Sequence, residues 1–322
     1  MDYPRTLLEF NDRFSTEAAC RDYLLAVRWP DGFLCPRCFE RGGWPLKGRG
    51  LVKCATCRYQ ASVTAGTIFQ DTHTPLRQWF HAIWLITSPK CGSSALSLKQ
   101  NLALGSYQTA WVWLHKLRAA MVRPDRDRLV GPVEVDEAWI GGLDPDHLGG
   151  RRADSKSIIA VAAEERGRGL GRIRMRRIYA TDGTNLLSFI EDVVTPESVV
   201  HTDGWMGYAG LVKRGFQHHK TPLRSKRGAS ELLPRVHLVV SLLKRWLLGT
   251  HQGAISDDHL DYYLDEFTFR FNRRRSRRRG LLFLRLLENA VRVDPLPYRA
   301  IVERTGRPRP RLGSHVEGES SG

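Results

Sequence analysis

Three polar residues between positions 136 and 237 have the types and spacing of a metal-dependent phosphoryl-transfer site. Asp136 lies in PVEVDEAWIGG and Asp203 in VVHTDGW, and His237 follows Asp203 by 34 positions. Lys244 comes seven positions after His237. Two divalent ions held by carboxylates neutralise a phosphoryl group and position its nucleophile, and aspartate oxygens suit Mg²⁺. We therefore predict that Asp136 and Asp203 bind catalytic magnesium, with His237 and Lys244 completing the site.

Histidine stands at the third position, where such a site is expected to hold a carboxylate. Imidazole suits Mg²⁺ less well than Mn²⁺, so three roles stay open for His237: a weak metal ligand, a group acting through water, or a proton-transfer group. Other acids are held in reserve for this position: Glu134 and Glu137 beside Asp136, Glu231 before the next helix, and Glu266, which has Arg270 at the spacing of a helical ion pair.

The elements that must position these residues alternate between strand and helix. VEVDEAWI alternates as a strand that places Glu134 and Asp136 on one face, and the strands SIIAVAAEE and GRIRMRRIYA follow. The helical TNLLSFIEDVV leads to a further strand ending at Asp203, which predicts an α/β fold with a mixed sheet. A helix from about 234 to 248 then carries His237 and Lys244 on one side, offset by only about 20°.

Four of the six cysteines form the pairs CPRC (Cys35, Cys38) and CATC (Cys54, Cys57), with fifteen residues between them. Two such pairs can surround one tetrahedral zinc with four thiolates, and in a reducing compartment disulfides are the weaker explanation. We therefore predict a zinc ribbon whose metal is structural, because a closed site stabilises a unit with little core of its own.

Residues 76–121 have helical periodicity interrupted by a turn at Gly105 and Ser106. Helix, turn and helix is the layout in which a second helix enters the major groove of DNA. The apolar positions of the second helix predict a core-facing side, which leaves these residues to meet water or DNA: Gln108, His115, Lys116 and Arg118. A plain helical linker is the alternative.

The net charge of +16 favours a polyanionic partner through counterion release, and nucleic acid is the commonest such partner. Two basic tracts, 213–228 and 270–279, supply further candidates for DNA binding: Lys226, Arg227, Arg273, Arg274 and Arg275. A solvated basic face is the alternative for these tracts. Because the sequence has neither a membrane-length apolar run nor the pattern of a signal peptide, we expect a cytoplasmic protein without a membrane partner.

In this order, the cysteine pairs, TAWVWLHKLR, VEVDEAWIGG, HTDGWMGY, LLKRWLLGTH and YLDEFTFRFNRR resemble the ISXO2-like insertion-sequence transposases with an N-terminal zinc ribbon, over roughly residues 15–285. The resemblance implies a ribonuclease-H-like catalytic domain, Mg²⁺-dependent DNA cleavage and strand transfer, and recognition of terminal inverted repeats. It assigns Asp136 and Asp203 to the two family aspartates and Lys244 to the basic residue after the third member. That member is most often Glu, so His237 is a departure that fits a histidine-using branch or a decayed copy; the intact motifs favour the branch.

The sequence thus predicts four regions: an N-terminal helix and zinc ribbon over 1–75, a helix-turn-helix over 76–122, a catalytic domain over 123–290 and a basic, partly disordered tail over 291–322. The expected partner is double-stranded DNA, at the element ends and at the target, and in a prokaryote this places the protein at the nucleoid. Two ends must be cut and joined together, so we expect a homodimer or a larger assembly. A non-catalytic DNA-binding regulator and a nuclease with the same core are the alternatives.

Overall fold

A computed structural model describes residues 2–46, 50–123, 126–141, 156–221, 233–252 and 255–302. The N-terminal half consists of helices around a small ribbon: α1 Leu7–Arg13, α2 Glu17–Arg28, β1 Gly43–Leu46, β2 Leu51–Cys54, β3 Gln60–Ser62, α3 Leu76–Thr87, α4 Ala95–Asn101 and α5 Tyr107–Ala119. Hydroxyl side chains begin several of these helices. Ser106, for example, accepts a hydrogen bond from the backbone N–H of Thr109 and so caps α5. The two helices expected on either side of a turn are therefore α4 and α5.

A five-stranded mixed sheet forms the centre of the second half: β4 Val133–Ile140, β5 Ser157–Arg166, β6 Gly169–Ile178, helix α6 Gly183–Val193, β7 Val199–Thr202 and β8 Gln217–Lys220. The strand order is β6-β5-β4-β7-β8, in which β4, β5 and β6 are antiparallel neighbours and β7 and β8 run parallel to β4. This arrangement, with helices on the sheet, confirms the predicted mixed α/β fold of the ribonuclease-H-like class.

In the described part of the chain after the sheet, the α-helices are α7 Pro234–His251, α8 Leu260–Asn272, α9 Arg279–Ala290 and α10 Tyr298–Val302. Helices α7 and α8 cover one face of the sheet and share a core with β5 and β6, whereas α6 covers the other face. Alternation along β4 therefore determines which side chains point toward α7: Ala138 belongs to the core on that side, and Val133 and Val135 belong to the core beside α6.

Helix α9 packs into the N-terminal helical core and not onto the sheet. Phe283, at the centre of α9, is fully buried, and its ring centroid lies 5.3 Å from that of Phe10 and 5.6 Å from that of Phe80. The sequence grouped this segment with the catalytic domain. Within the described ranges, no helix is long and apolar enough to cross a membrane.

A buried ion cluster joins the two halves. The Arg118 guanidinium on α5 donates to Glu266 on α8 over 2.8 Å, and Arg270 donates to the other oxygen of Glu266 over 2.9 Å. The side chains of Arg118 and Glu266 are 1% and 0% exposed. Burial acts to raise the pKa of Glu266, but Arg118 and Arg270 outweigh it and hold the pKa below its usual range. Glu266 therefore joins α5 to α8 as a carboxylate and is not free to serve as the reserve acid.

Replacing Glu266 by glutamine should destabilise the fold strongly, because two buried arginines would lose their counter-charge. We expect Glu266→Gln to lower the free energy of unfolding by about 3–5 kcal/mol, measured by denaturant titration of the full chain. The matched control is Glu288→Gln, which removes the carboxylate of an ion pair with Arg285, whose side chain is 56% exposed. Its cost should stay below about 1 kcal/mol. Equal losses in the two variants would contradict the role assigned to Glu266.

Candidate catalytic centre and zinc ribbon

The sheet brings Asp136 and Asp203 level with one another on neighbouring strands. In the parallel pairing of β4 with β7, Glu134 lies opposite His201. Asp136 follows Glu134 by two residues and lies in the middle of β4. Asp203 follows His201 by two residues and lies directly after β7. Because neighbouring strands lie about 4.8 Å apart, this register places the two aspartates beside each other at one end of β7. The structure thus brings together the two aspartates that the sequence singled out.

The environment of Asp136 opposes the charged form of its carboxyl group. Burial raises the pKa of Asp136, and the negative charge of Asp203 adds to that rise. The backbone N–H of Glu137 donates to Asp136 Oδ1 over 2.9 Å and acts in the opposite direction. Such crowding of buried like charges costs free energy, and a bound cation would relieve it. The pair is therefore suited in its chemistry to hold a divalent ion.

Glu137 adds a third carboxylate to this group. Burial, followed by the charge of Asp136, raises the pKa of Glu137 to about 8, and Asp203 contributes further. Its buried Oε1 has no hydrogen-bond partner among the described residues, and the same holds for the hydroxyl of Tyr208, which is fully buried nearby. The pKa of Tyr208 is raised by burial and then by the charges of Glu137, Asp136 and Asp203. A buried group of mutually repelling carboxylates fits a position reserved for a cation.

Helix α7 places His237 against Asp136. Nε2 of His237 lies 3.7 Å from Oδ2 of Asp136, too far for a hydrogen bond, and it has no hydrogen-bond partner in the described part of the chain. The imidazole side chain is 32% exposed, so one edge of the site is open to solvent. Lys244 lies two turns further along α7 and is exposed. The register predicted for His237 and Lys244 thus holds, while their catalytic roles stay predictions.

Glu134 holds the helix that carries His237. One oxygen of its carboxylate accepts from the backbone N–H groups of Arg235 and Val236 over 2.7 and 3.0 Å. The other oxygen accepts from the Arg235 guanidinium over 2.7 Å. The carboxylate oxygens thereby satisfy free N–H groups in the first turn of α7, where negative charge also interacts favourably with the helix dipole. Glu134 is therefore a helix cap, held by three hydrogen bonds at the start of α7, which gives it a structural role in place of that of a reserve acid.

The four predicted zinc ligands converge in the ribbon. The Sγ atoms of Cys35, Cys38, Cys54 and Cys57 all lie within 4.8 Å of one another, and two of the separations are 3.6 and 3.7 Å. Four thiolates at about 2.3 Å from one tetrahedral zinc stand roughly 3.8 Å apart. The geometry therefore fits a structural zinc. Among the described residues this is the one group of three or more potential ligands so closely gathered; the carboxylates around Asp136 are more widely spaced.

Two of the predicted DNA contacts on α5 are wrong, because α8 packs over that side of the helix. His115 and Arg118 are 0% and 1% exposed. The His115 ring packs edge-on against Tyr262 with centroids 5.0 Å apart, and burial, assisted by the charge of Arg118, lowers its pKa far below the usual range. Neither side chain can reach DNA in this structure. Gln108, at the start of α5, is exposed and donates to the hydroxyl of Tyr298, and Lys116 is partly exposed.

The arginine tract after α8 is only partly available to a ligand. Arg273 stacks on Phe269, with its guanidinium carbon 4.0 Å from the ring centroid. Arg274 is exposed but donates to the carbonyl oxygens of Leu170 and Gly171, and Arg275 is exposed. Lys226, Arg227 and Glu231 lie outside the described residues. Of the three predicted contacts in this tract, Arg275 is thus exposed and has no hydrogen bond or ring contact among the described residues.

A cysteine ribbon joined to a helix-turn-helix and a ribonuclease-H-like sheet defines the architecture, and comparison with known proteins identifies the family. Residues 15–60 match the transposase zinc-ribbon domain, and residues 128–272 match the ISXO2-like transposase domain. The two matches together cover more than half of the chain, which belongs to the ISXO2-like insertion-sequence transposases.

A curated relative aligns with most of the chain. The chain is 27% identical over 282 residues to an uncharacterized protein in transposable element ISH50 of Halobacterium salinarum, an alignment that covers 80% of this chain and 91% of that protein. No solved structure matches the chain.

Loss of one thiolate should release the metal from the ribbon. The ribbon core contains few buried side chains beyond its cysteines, among them Phe33, Val52 and Ala61, so metal binding supplies much of its stability. We expect the purified chain to contain about one zinc ion by elemental analysis, and Cys54→Ser to lose most of it and to be cleaved faster by protease within 30–65. Cys91→Ser, at an exposed cysteine outside the group, is the control. Equal zinc contents in the two variants would exclude the site.

Proposed function

We propose that the protein is the DNA transposase of an insertion sequence, which binds terminal inverted repeats and catalyses metal-dependent DNA cleavage and strand transfer. The observation that carries this proposal is the alignment of Asp136 and Asp203 on neighbouring parallel strands beside His237. Family membership and the ribbon support the same conclusion. The net charge of +16 matches a DNA substrate.

In the proposed site, Asp136 and Asp203 are the carboxylates that hold Mg²⁺ or Mn²⁺, with His237 and Glu137 at its margins. When bound, the metal ions would supply charge neutralisation at phosphorus and activation of the attacking oxygen. Asp136 and Asp203 place the scissile phosphate at the end of β7. DNA enters the site from the solvent-exposed side of His237. Lys244, on the exposed side of α7, is positioned to bind the DNA backbone.

The reaction proceeds in two transfers of the same type. In the first, a water oxygen bonds to phosphorus, the bond from phosphorus to the 3′ oxygen breaks, and that oxygen takes up a proton to become a 3′ hydroxyl. In the second, the 3′ hydroxyl attacks a target phosphate, loses its proton and displaces another 3′ oxygen. Bonds formed and broken balance, and no oxidant or reductant is needed. Because two ends must take part, the active form is a homodimer or a larger assembly on double-stranded DNA.

Among the described residues, exposure selects the remaining candidate DNA contacts, and the tract with Lys226 and Arg227 is proposed from its charge alone. Gln108 and Lys116 on α5, Arg275 after α8 and the basic tract that includes Lys226 and Arg227 are the proposed contacts to the element ends and to the phosphate backbone. The exposed N-terminal turn of α5 is the part of that helix from which side chains can enter a groove, since its other end is covered by α8.

Neutralising either aspartate should abolish cleavage but leave end binding intact. We expect Asp136→Asn and Asp203→Asn each to reduce the cleavage rate at least about 100-fold, because a carboxylate ligand contributes several kcal/mol to transition-state stabilisation. The assay uses duplexes carrying the inverted repeats that flank the gene, with binding measured by mobility shift. The control, Asp192→Asn, changes an aspartate paired with Arg176 on the outside of α6 and should cleave normally. Full cleavage by either site variant would refute the proposed centre.

Substitution at His237 should change the choice of metal. We expect His237→Glu to raise the ratio of the cleavage rate in Mg²⁺ to that in Mn²⁺ at least about tenfold, since carboxylate suits Mg²⁺ better than imidazole does. His237→Ala should slow cleavage with both ions. If His237→Ala cleaves as fast as the unmodified protein, the residue does not belong to the site. Formation of joined products, in addition to nicked ones, separates a transposase from a nuclease with the same core.

A further inference from the structure

An arginine-lined cavity lies between the two halves of the protein, away from the aspartate site. Its volume is about 270 Å³, and it is bordered by the connector after α5, by β6 and by the C-terminal turn of α8. Among the described residues, its lining includes five arginines and the acidic Asp127: Arg123 and Arg126 come from the connector, Arg172 and Arg174 from β6, and Arg273 directly follows α8. We call this space the arginine cavity.

Arg174 is the most enclosed of these cations. It is 5% exposed, and its guanidinium donates to the backbone carbonyl of Ile173 over 2.9 Å and to that of Asp127. Both acceptors are neutral, so these bonds do not balance its charge. Burial, followed by the positive charges of Arg126 and Arg172, lowers the pKa of Arg174 to about 9, although the charges of Glu164 and Asp127 act in the opposite direction. A buried guanidinium among other cations is unfavourable unless an anion accompanies it.

Arg273 is in a similar position on the opposite wall. It donates to the carbonyl of Phe269 over 3.1 Å and stacks on the ring of the same residue. Burial, followed by the charges of Arg123 and Arg285, lowers its pKa to about 10. Arg172 differs, because Glu164 accepts from it over 2.9 Å and that hydrogen bond raises its pKa. Within the described residues, the carboxylates that touch the lining are thus fewer than its cations.

The chemistry of the lining selects the ligand. Guanidinium groups present paired N–H donors that match the oxygens of phosphate, and several of them around one space favour a doubly charged anion over chloride. The cavity is smaller than the pockets that take drug-sized ligands, so it suits one or two phosphate groups, either free or on the backbone of a DNA strand, and is too small to enclose a whole duplex. We propose that the arginine cavity is a binding site for a phosphate group, supplied either by a DNA strand that reaches into it or by free phosphate.

The position of the site gives it a consequence for the whole molecule. Arg123 and Arg126 follow the DNA-recognition helices, Arg174 belongs to the catalytic sheet, and Arg273 follows the helix that packs on both. A phosphate bound between them would hold the two halves in one relative orientation. The site thereby links ligand binding to the alignment of the helix-turn-helix with the catalytic sheet.

The first test uses inorganic phosphate as the probe and does not depend on the proposed transposase activity. Calorimetric titration of the full chain at constant ionic strength should show phosphate binding that Arg174→Met weakens at least tenfold. Arg285→Met, at an exposed arginine that is paired with Glu288 and does not line the cavity, should bind within twofold of the unmodified protein. Without phosphate, Arg174→Met should have an unchanged or higher Tm, because it removes a charge that the protein alone does not balance. A fall in Tm together with unchanged phosphate affinity would show a structural arginine and overturn the proposal.

A second measurement distinguishes the source of the phosphate. If DNA supplies it, phosphate competes with a 30-base-pair duplex, and Arg174→Met reduces the slope of log K against log salt by about one. If free phosphate is the ligand, duplex affinity is the same in Arg174→Met and Arg285→Met while phosphate affinity differs. Either result supports the site. Phosphate affinity and salt slope that are both identical in the two variants would exclude it.

Discussion

The hydrogen bonds from the first turn of α7 to Glu134 are the constraint on which the candidate catalytic centre depends. Glu134 lies on the central strand, two residues before Asp136, and its buried carboxylate accepts two backbone N–H groups of the helix together with the Arg235 guanidinium. The start of α7 is thereby fixed to β4 at a single register. His237 is the next residue after these donors, which is why its ring comes to lie beside Asp136. A shift of the helix by one residue would break the cap and move the imidazole by about 100° around the helix axis.

A second polar contact determines how the halves of the protein meet. Glu266 accepts hydrogen bonds from Arg118 on α5 and from Arg270 on its own helix. The three side chains have very little exposure to solvent. Apolar packing alone does not fix the orientation of two helices as narrowly as a buried group that must be satisfied. With α9 in the N-terminal core, the chain crosses from the sheet back to the first helices. Helix α5 is thus part of the interface between the N-terminal helices and the half that contains the sheet.

Much of the framework followed from sequence patterns, and the exceptions have a common cause. Strand alternation, the register of His237 with Lys244 and the spacing of the cysteine pairs each depend on local geometry, and the structure has them as expected. The burial of His115 and Arg118 was not expected, because α5 is covered on two sides and periodicity describes only its more apolar side. The sequence alone suggests a reserve acid at Glu134, because the N–H groups that bind its carboxylate lie about a hundred residues later in the chain and no local pattern indicates them. For Arg118, the only local indication of burial is Glu266, because an acidic residue within an aromatic stretch of α8 suggests that a cation is buried against it.

Charge balance gives a physical reason why histidine can occupy the third position. Asp136, Asp203 and Glu137 already place three carboxylates together, and burial and mutual repulsion hold the pKa values of Asp136 and Glu137 above their usual range. A glutamate at 237 would add a fourth acid against Asp136, whereas neutral imidazole adds a donor atom without further repulsion. At 3.7 Å from Asp136 Oδ2, Nε2 can share a cation with that oxygen or, when protonated, pair with it directly. These two states exclude each other, so a proton on His237 would compete with a bound cation for the same carboxylate.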